Sequence, residues 1–306
     1  MKVVLLAGGV GGARFARGLV DVLAPAGVTV VGNVGDDLEV FGLHVSPDLD
    51  TLLYTLAGVA DEERGWGRAA ESWTALETAA ALGADTWFRL GDRDLGLHLA
   101  RADGLERGQP LSAVTRGLAR ALGVDTTLLP ATDDRLRTWV MTPEGELPFQ
   151  EWFVRRAARP DVDGVRFEGE ETAEPAAGVR EALAGADLLL VAPSNPYVSI
   201  WPILAVREIR RALAERAVPA VAVSPLVGGR AVKGPADRML VRLAGGTAPR
   251  YVASCYAGLI DALVIDESDS AEGLDVRPIV TRTLMTDAAA RRRLAEAALD
   301  AAAAVR

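Results

Sequence analysis

Lysine is almost missing from this chain: Lys2 and Lys233 are its only two examples among 33 basic residues. Nearly all positive charge is arginine, which suits bidentate phosphate contacts but also follows from GC-rich coding, and the alanine surplus agrees with that second cause. Basic charge is outnumbered, with 42 acidic residues giving a formal net charge of −9. A nucleic-acid partner would need a basic face, so that class is set aside. The single Cys255 excludes an intramolecular disulfide and agrees with a reducing compartment. Two histidines, His44 and His98, are too few for a histidine-rich zinc site. No apolar run reaches the ~18 residues of a spanning helix. The opening stretch 2–9 reads as a strand broken by glycine, too short for a signal peptide. No serine–histidine pair and no activated cysteine can be argued. The expectation is a cytoplasmic enzyme or regulator without membrane or nucleic-acid partners.

Half the residues are apolar and a quarter are charged, an ordinary globular balance with ample core. Residues 2–7 read as a strand, 12–24 as a helix and 28–32 as a second strand. Short apolar runs return at 187–192, 218–223 and 261–266, with helical patterns at 202–215, 235–244 and 287–305. Near-continuous apolar strands alternating with helices predict an α/β fold: a Rossmann-like parallel sheet with helices on both faces. Between them the pattern is mainly helical, with strand candidates at 125–129, 136–141 and 162–167. The turn 143–146 marks a small antiparallel element. The expected organisation is a core of 1–51 plus 175–306, with 52–174 inserted as a substrate-covering subdomain and 168–178 as the boundary loop. Five of the six tryptophans lie in that insertion, and core packing is the expected role for most of them.

Four loops rich in glycine, proline or serine each follow an expected core strand: 8–12, 32–37, 193–196 and 224–229. In a parallel sheet they would meet at its carboxyl edge, where ligands bind. The first, GGVGG, lacks the ending of a P-loop. Arg14 stands where a dinucleotide fingerprint counted from Gly9 needs its third glycine. What remains is a set of backbone N–H groups at Gly9, Gly11 and Gly12 near a helix start, with Arg14 close behind, suited to an anion. Carboxylates follow at Asp36, Asp37, Asp48 and Asp50, and they would repel a phosphate unless a divalent cation stood between. Ser46 and Pro47 read as N-cap and first helical residue, which places Asp48 and Asp50 in a first turn favourable to negative charge. Residues two apart do not share a helix face, so one of that pair is expected to face the crevice. Ser194 and Asn195, and Ser224 in the fourth loop, offer hydrogen bonds to a base or phosphate. Arg93, in GDRD (91–94), offers a cation, with a surface ion pair as its plainer role.

GGVGGARF (8–15), GDD (35–37), SPDLDTLLYTL (46–56), GDRD (91–94), PATDDR (130–135), FQEWFVR (149–155), APSNP (192–196) and VSP (223–225) together resemble the 2-phospho-L-lactate transferase family. Its bacterial members are also described as phosphoenolpyruvate transferases. The resemblance implies Mg²⁺-dependent transfer of a phospholactyl or enolpyruvyl-phosphate group from a guanosine diphosphate ester. The acceptor would be the ribityl hydroxyl of 7,8-didemethyl-8-hydroxy-5-deazariboflavin, with GMP released and (dehydro) coenzyme F-420-0 formed. By the same motifs Asp50 and Arg93 would contact the deazaflavin, and Asp36 with Asp48 or Asp50 would hold the metal. Gly9, Gly11, Gly12, Ser194 and Asn195 would line the guanosine diphosphate pocket. Asp50 is also the expected acceptor of the hydroxyl proton. Two other readings compete. A nucleotide-sugar-binding regulatory protein of a related family shares the glycine-rich opening, and an NAD(P)-linked oxidoreductase would place Asp36 on a ribose. A homodimer is the working expectation for assembly.

Overall fold

A computed structural model describes residues 1–305; Arg306, at the end of the expected core segment, lies outside them. The strands are β1 (Val3–Ala7), β2 (Val28–Gly32), β3 (Leu38–Val40), β4 (Leu43–Val45), β5 (Thr127–Pro130), β6 (Arg137–Thr142), β7 (Gly145–Pro148), β8 (Gly164–Glu168), β9 (Leu188–Val191), β10 (Ala220–Val223), β11 (Leu226–Val227), β12 (Arg230–Ala231), β13 (Ala262–Asp266) and β14 (Arg277–Thr281). Seven of them form one parallel sheet in the order β14-β13-β10-β9-β1-β2-β5. The chain starts in the middle, builds outward through β2 and β5, then crosses back to β9 and builds the other way. That is the doubly wound order, and its reversal lies between β1 and β9. The central strands are apolar on both faces, as a sheet covered on both sides requires: every residue of β1, β9 and β10 is buried.

Of the helices, α1 (Gly9–Val22), α2 (Pro47–Ala57), α3 (Thr74–Ala81), α4 (Asp92–Glu106) and α5 (Leu111–Ala121) matter most for the site. Helix α1 crosses the C-terminal helix Ala288–Ala304 closely. A Cβ on Gly18 would sit 2.5 Å from the Arg291 carbonyl oxygen. Gly18→Ala is therefore expected to lose about 1–3 kcal/mol to overpacking, despite the better helix propensity of alanine. Urea unfolding checks this, and an unchanged midpoint would contradict it.

The expected pattern is corrected in several places. Helix α1 begins at Gly9, directly on the glycine turn. The helix expected over 202–215 divides into Trp201–Ala205 and Arg207–Ala214, because Val206 takes an extended conformation. The strand expected near 125–129 does not stay with the insertion. It is β5, and it extends the main sheet by pairing in parallel with β2. The stretch 52–174 therefore leaves the sheet and re-enters it before leaving again. The antiparallel element is found as a three-stranded sheet, β7-β6-β8. The β3–β4 hairpin and the edge strand β14 had no sequence counterpart. No helix among the described residues is long and apolar enough to cross a membrane.

Candidate active site

A cavity of about 780 Å³ opens at the carboxyl edge of the sheet, over the reversal between β1 and β9. All four expected loops contribute to its wall, through Gly8–Gly11, Asp36, Pro193–Asn195 and Ser224–Pro225. The glycine turn is shaped by close approach. Gly9 has φ +66°, a conformation that side chains rarely adopt. A Cβ on Gly11 would lie 2.5 Å from the Pro193 carbonyl oxygen, and one on Gly12 would lie 2.7 Å from Ser194 Oγ. A Cβ on Gly8 would collide with the Asp48 carboxylate. The Ser194 hydroxyl donates to the Gly8 carbonyl at 2.7 Å, which locks the first loop to the third. Arg14 lies in the second turn of α1, lines the cavity and donates weakly to the Met285 carbonyl at 3.4 Å.

Asn33, which follows β2, organises the acids. Its amide donates to Asp36 Oδ1 and to Asp48 Oδ2, each at 2.9 Å, and reaches the Val198 carbonyl at 3.1 Å. Gln150 donates to the other Asp36 oxygen at 3.0 Å. Burial, then the charges of Asp48 and Asp37, push the Asp36 carboxyl well above the usual range. Burial also pushes Asp48 up to about 6, opposed by hydrogen bonds from Asn33 and the Gly9 N–H. Asp37 turns away from the cavity. One of its oxygens takes the Ser46 hydroxyl (2.9 Å) and His44 Nε2 (2.8 Å), and the other is buried without a partner.

Asp50 occupies a different face of α2. Both of its oxygens accept from the Arg101 guanidinium of α4, and Oδ2 also accepts the Ser46 N–H at 3.3 Å. The two partners that the sequence left open for Asp36, namely Asp48 and Asp50, are thus separated. Asp36 and Asp48 meet, whereas Asp50 is held by arginine. Among the described residues no three acidic, histidine or cysteine side chains stand ready around one point. The pair that remains is buried, made only of oxygens and mutually repulsive. It fits a hard cation such as Mg²⁺, which commonly takes one or two carboxylates and completes its shell with water and phosphate oxygens.

Arg93 is a correction. It is exposed on the outer side of α4 and does not line the cavity; only its N–H is used, donating to Glu71 at 2.8 Å. Its neighbour Asp92 caps α3 through the Thr74 and Ala75 N–H groups. The inward face of α4 belongs to Asp94, His98 and Arg101, four and three residues apart. That helical spacing of polar residues was the available signal, and it points about 100° away from Arg93. Asn195 and Ser224 line the cavity, but their side chains brace their own loops. Asn195 Oδ1 accepts from the Tyr197 N–H at 3.0 Å, and Ser224 Oγ accepts from the Leu226 N–H at 3.2 Å. Aromatic side chains shape the rest of the wall: Trp66, Trp87, Phe88, Phe149 and Phe153. Trp152 instead belongs to the core, and Cys255 is a buried small side chain whose thiol donates to the Tyr251 carbonyl and lies against the Tyr197 hydroxyl.

The raised Asp48 carboxyl sets a sign for metal-free stability. Its ordinary value is 3.8 and its folded value about 6, so the fold disfavours the charged form. Stability linked to this group is complete below about pH 4 and is lost as pH rises through 6. The loss is about 3 kcal/mol at most. Comparison of wild type with Asp48→Asn, unfolded by urea in chelator from pH 4 to 7.5, should show the variant gaining by that amount. A difference that stays flat with pH would contradict the assignment.

A doubly wound sheet with a glycine turn, a switch-point cavity and buried acids defines an α/β protein with a ligand cleft at the carboxyl edge of its sheet. Comparison with known proteins gives the family. The model for CofD, 2-phospho-L-lactate transferase, matches residues 3–293, and the chain belongs to this family of transferases. Phosphoenolpyruvate transferase of Streptomyces griseus is 44% identical over 317 residues, covering 100% of both chains. The protein of the same name from Thermobifida fusca is 43% identical, covering 99% of this chain and 98% of its own. That of Mycobacterium tuberculosis is 41% identical, covering 99% of each. Among solved structures, a UPF0052-family protein from Bacillus halodurans superposes with a TM-score of 0.65 at 17% identity, covering 97% of this chain and 99% of its own. That likeness concerns the fold alone.

Proposed function

We propose that this chain transfers a phosphoenolpyruvyl group, or its 2-phospholactyl counterpart, from a guanosine diphosphate ester to the ribityl hydroxyl of 7,8-didemethyl-8-hydroxy-5-deazariboflavin, in coenzyme F-420 biosynthesis. The observation that carries this reading is the Asp36–Asp48 pair, held on one amide of Asn33 directly against the glycine turn. Such a pair beside an anion-binding turn suits a diphosphate with its cation. The names of the relatives favour enolpyruvate as the acyl unit.

In the proposed reaction the acceptor hydroxyl oxygen attacks the phosphorus that bears the acyl group. The bond from that phosphorus to the bridging oxygen breaks, and GMP leaves with the electron pair. Reactions of this kind depend on alignment and charge neutralisation more than on covalent help. Asp36 and Asp48 would hold Mg²⁺, which supplies that neutralisation when bound. The N–H groups of the glycine turn and Arg14 would position the diphosphate. Asp50, oriented by Arg101, would accept the hydrogen bond of the attacking hydroxyl and take its proton as the new bond forms. The aromatic wall would exclude water and receive the flat ring.

The test is incubation with each guanosine diphosphate ester, the deazaflavin and Mg²⁺, followed by chromatography and mass spectrometry. The reading expects stoichiometric GMP and a product carrying the acyl phosphate. Tight donor binding with no GMP from either ester would overturn it and favour a regulatory binding protein.

A further inference from the structure

The buried face of α4 carries a chain of polar contacts that runs beyond Asp50 and Arg101 to groups that the proposed chemistry leaves unused. Arg101 donates to His98 Nδ1 at 3.1 Å. Arginine has donors only, so Nδ1 must present a lone pair, and the ring proton sits on Nε2. That Nε2 is buried without a hydrogen-bond partner and lies 3.4 Å from Asp94 Oδ1. The same Asp94 oxygen accepts the hydroxyl of Tyr54. Burial, followed by the charges of Asp50 and Asp94, pushes the Tyr54 phenol up, so it stays a donor. One oxygen of Asp94 is thus fixed between Tyr54 and His98, and no donor among the described residues reaches the other. Asp50, Tyr54, Asp94 and His98 all line the cavity.

The arrangement leaves two carboxylates on one wall, joined through an Arg101–His98 bridge. Asp50 has a guanidinium partner, whereas among the described residues no arginine or lysine pairs with Asp94, which meets the His98 N–H instead. An anionic acceptor without a cation is best matched by uncharged O–H donors on a ligand. We infer that Asp94 is a binding residue for the acceptor's polyol chain, taking a hydroxyl beside the one that Asp50 takes. His98, Arg101 and Tyr54 are then positioning residues that set the spacing and orientation of the two carboxylates. This rests on the function proposed above and adds a specificity element to it: a hydroxylated side chain on the ring, rather than the ring alone.

The test measures binding of the deazaflavin through its fluorescence, with wild type, Asp94→Ala and Tyr54→Phe. An analogue in which an alkyl chain replaces the ribityl group serves as the second ligand. A hydrogen bond to a charged group is worth about 10- to 100-fold in affinity. Asp94→Ala should lose that factor for the hydroxylated ligand and nothing for the alkyl analogue, while donor affinity stays at the wild-type value. Tyr54→Phe should raise the acceptor KM and leave the donor KM unchanged. Equal losses for both ligands, or acceptor binding by Asp94→Ala at the wild-type level, would overturn the inference and leave the proposed function standing. Failure of wild type to bind the deazaflavin would remove both.

Discussion

Asp36→Asn should cut GMP release by about a hundredfold or more, with the fold intact. The substitution keeps the shape and the bond from Asn33, and the new NH2 is satisfied once the Gln150 amide turns its oxygen toward it. On the proposed function it removes one of the two negative charges that would hold the cation against the diphosphate, and electrostatic groups of this type carry losses of about 10²–10³ in turnover. Stability should move the other way. Asp36 is buried beside Asp48 and Asp37, and its charged form is disfavoured there. A neutral amide relieves that repulsion, so the metal-free variant should melt above wild type at pH 7.5. Rates measured across a Mg²⁺ titration, together with thermal melts, check both halves. Near-normal turnover at saturating Mg²⁺ would remove Asp36 from the mechanism.

Arg101→Met should be the most destabilising single change near the site, by about 3–5 kcal/mol. Arg101 and Asp50 are both almost wholly buried, and each leans on the other. Taking away the guanidinium leaves the Asp50 carboxylate desolvated without its cation and His98 Nδ1 without its donor. Replacing the pair together, as Arg101→Met with Asp50→Leu, should recover most of the loss, because an apolar pair of similar volume avoids the desolvation cost. Urea unfolding of the single and double variants decides the matter. A single variant within 1 kcal/mol of wild type, on the scale of an exposed ion pair, would show that this contact is weaker than its burial implies.

Much of this architecture could be read from the chain. The apolar runs that became β1, β2, β9, β10 and β13 are too short and too uninterrupted for anything but buried strands. Their following loops gave the cavity edge. Strand β14 was illegible because Arg277 and Pro278 stand in an exposed edge strand with no buried run. Strand β5 was legible as a strand but not as a member of the main sheet, since partner choice is a long-range contact that local pattern does not encode. In the site, acid position was readable and acid pairing was not. Asp48 and Asp50 look equivalent in sequence. They part company only because Asn33 and Arg101, 15 and 51 residues distant from their respective partners, arrive on opposite faces of α2. Arg93 drew attention through its motif, whereas the charge used internally lies two turns further along the same helix.

Because β5 zips onto β2, the helical cover cannot be clipped out as a module. Excising 52–174 would strip the sheet of its outermost ribbon and bare the amides and carbonyls of β2 to solvent. Raw borders of that kind recruit other chains. A shortened protein should therefore come out of the cell as aggregate rather than as a trimmed, folded core. Any effort to graft a new cover onto this scaffold has to carry 127–130 along with the core.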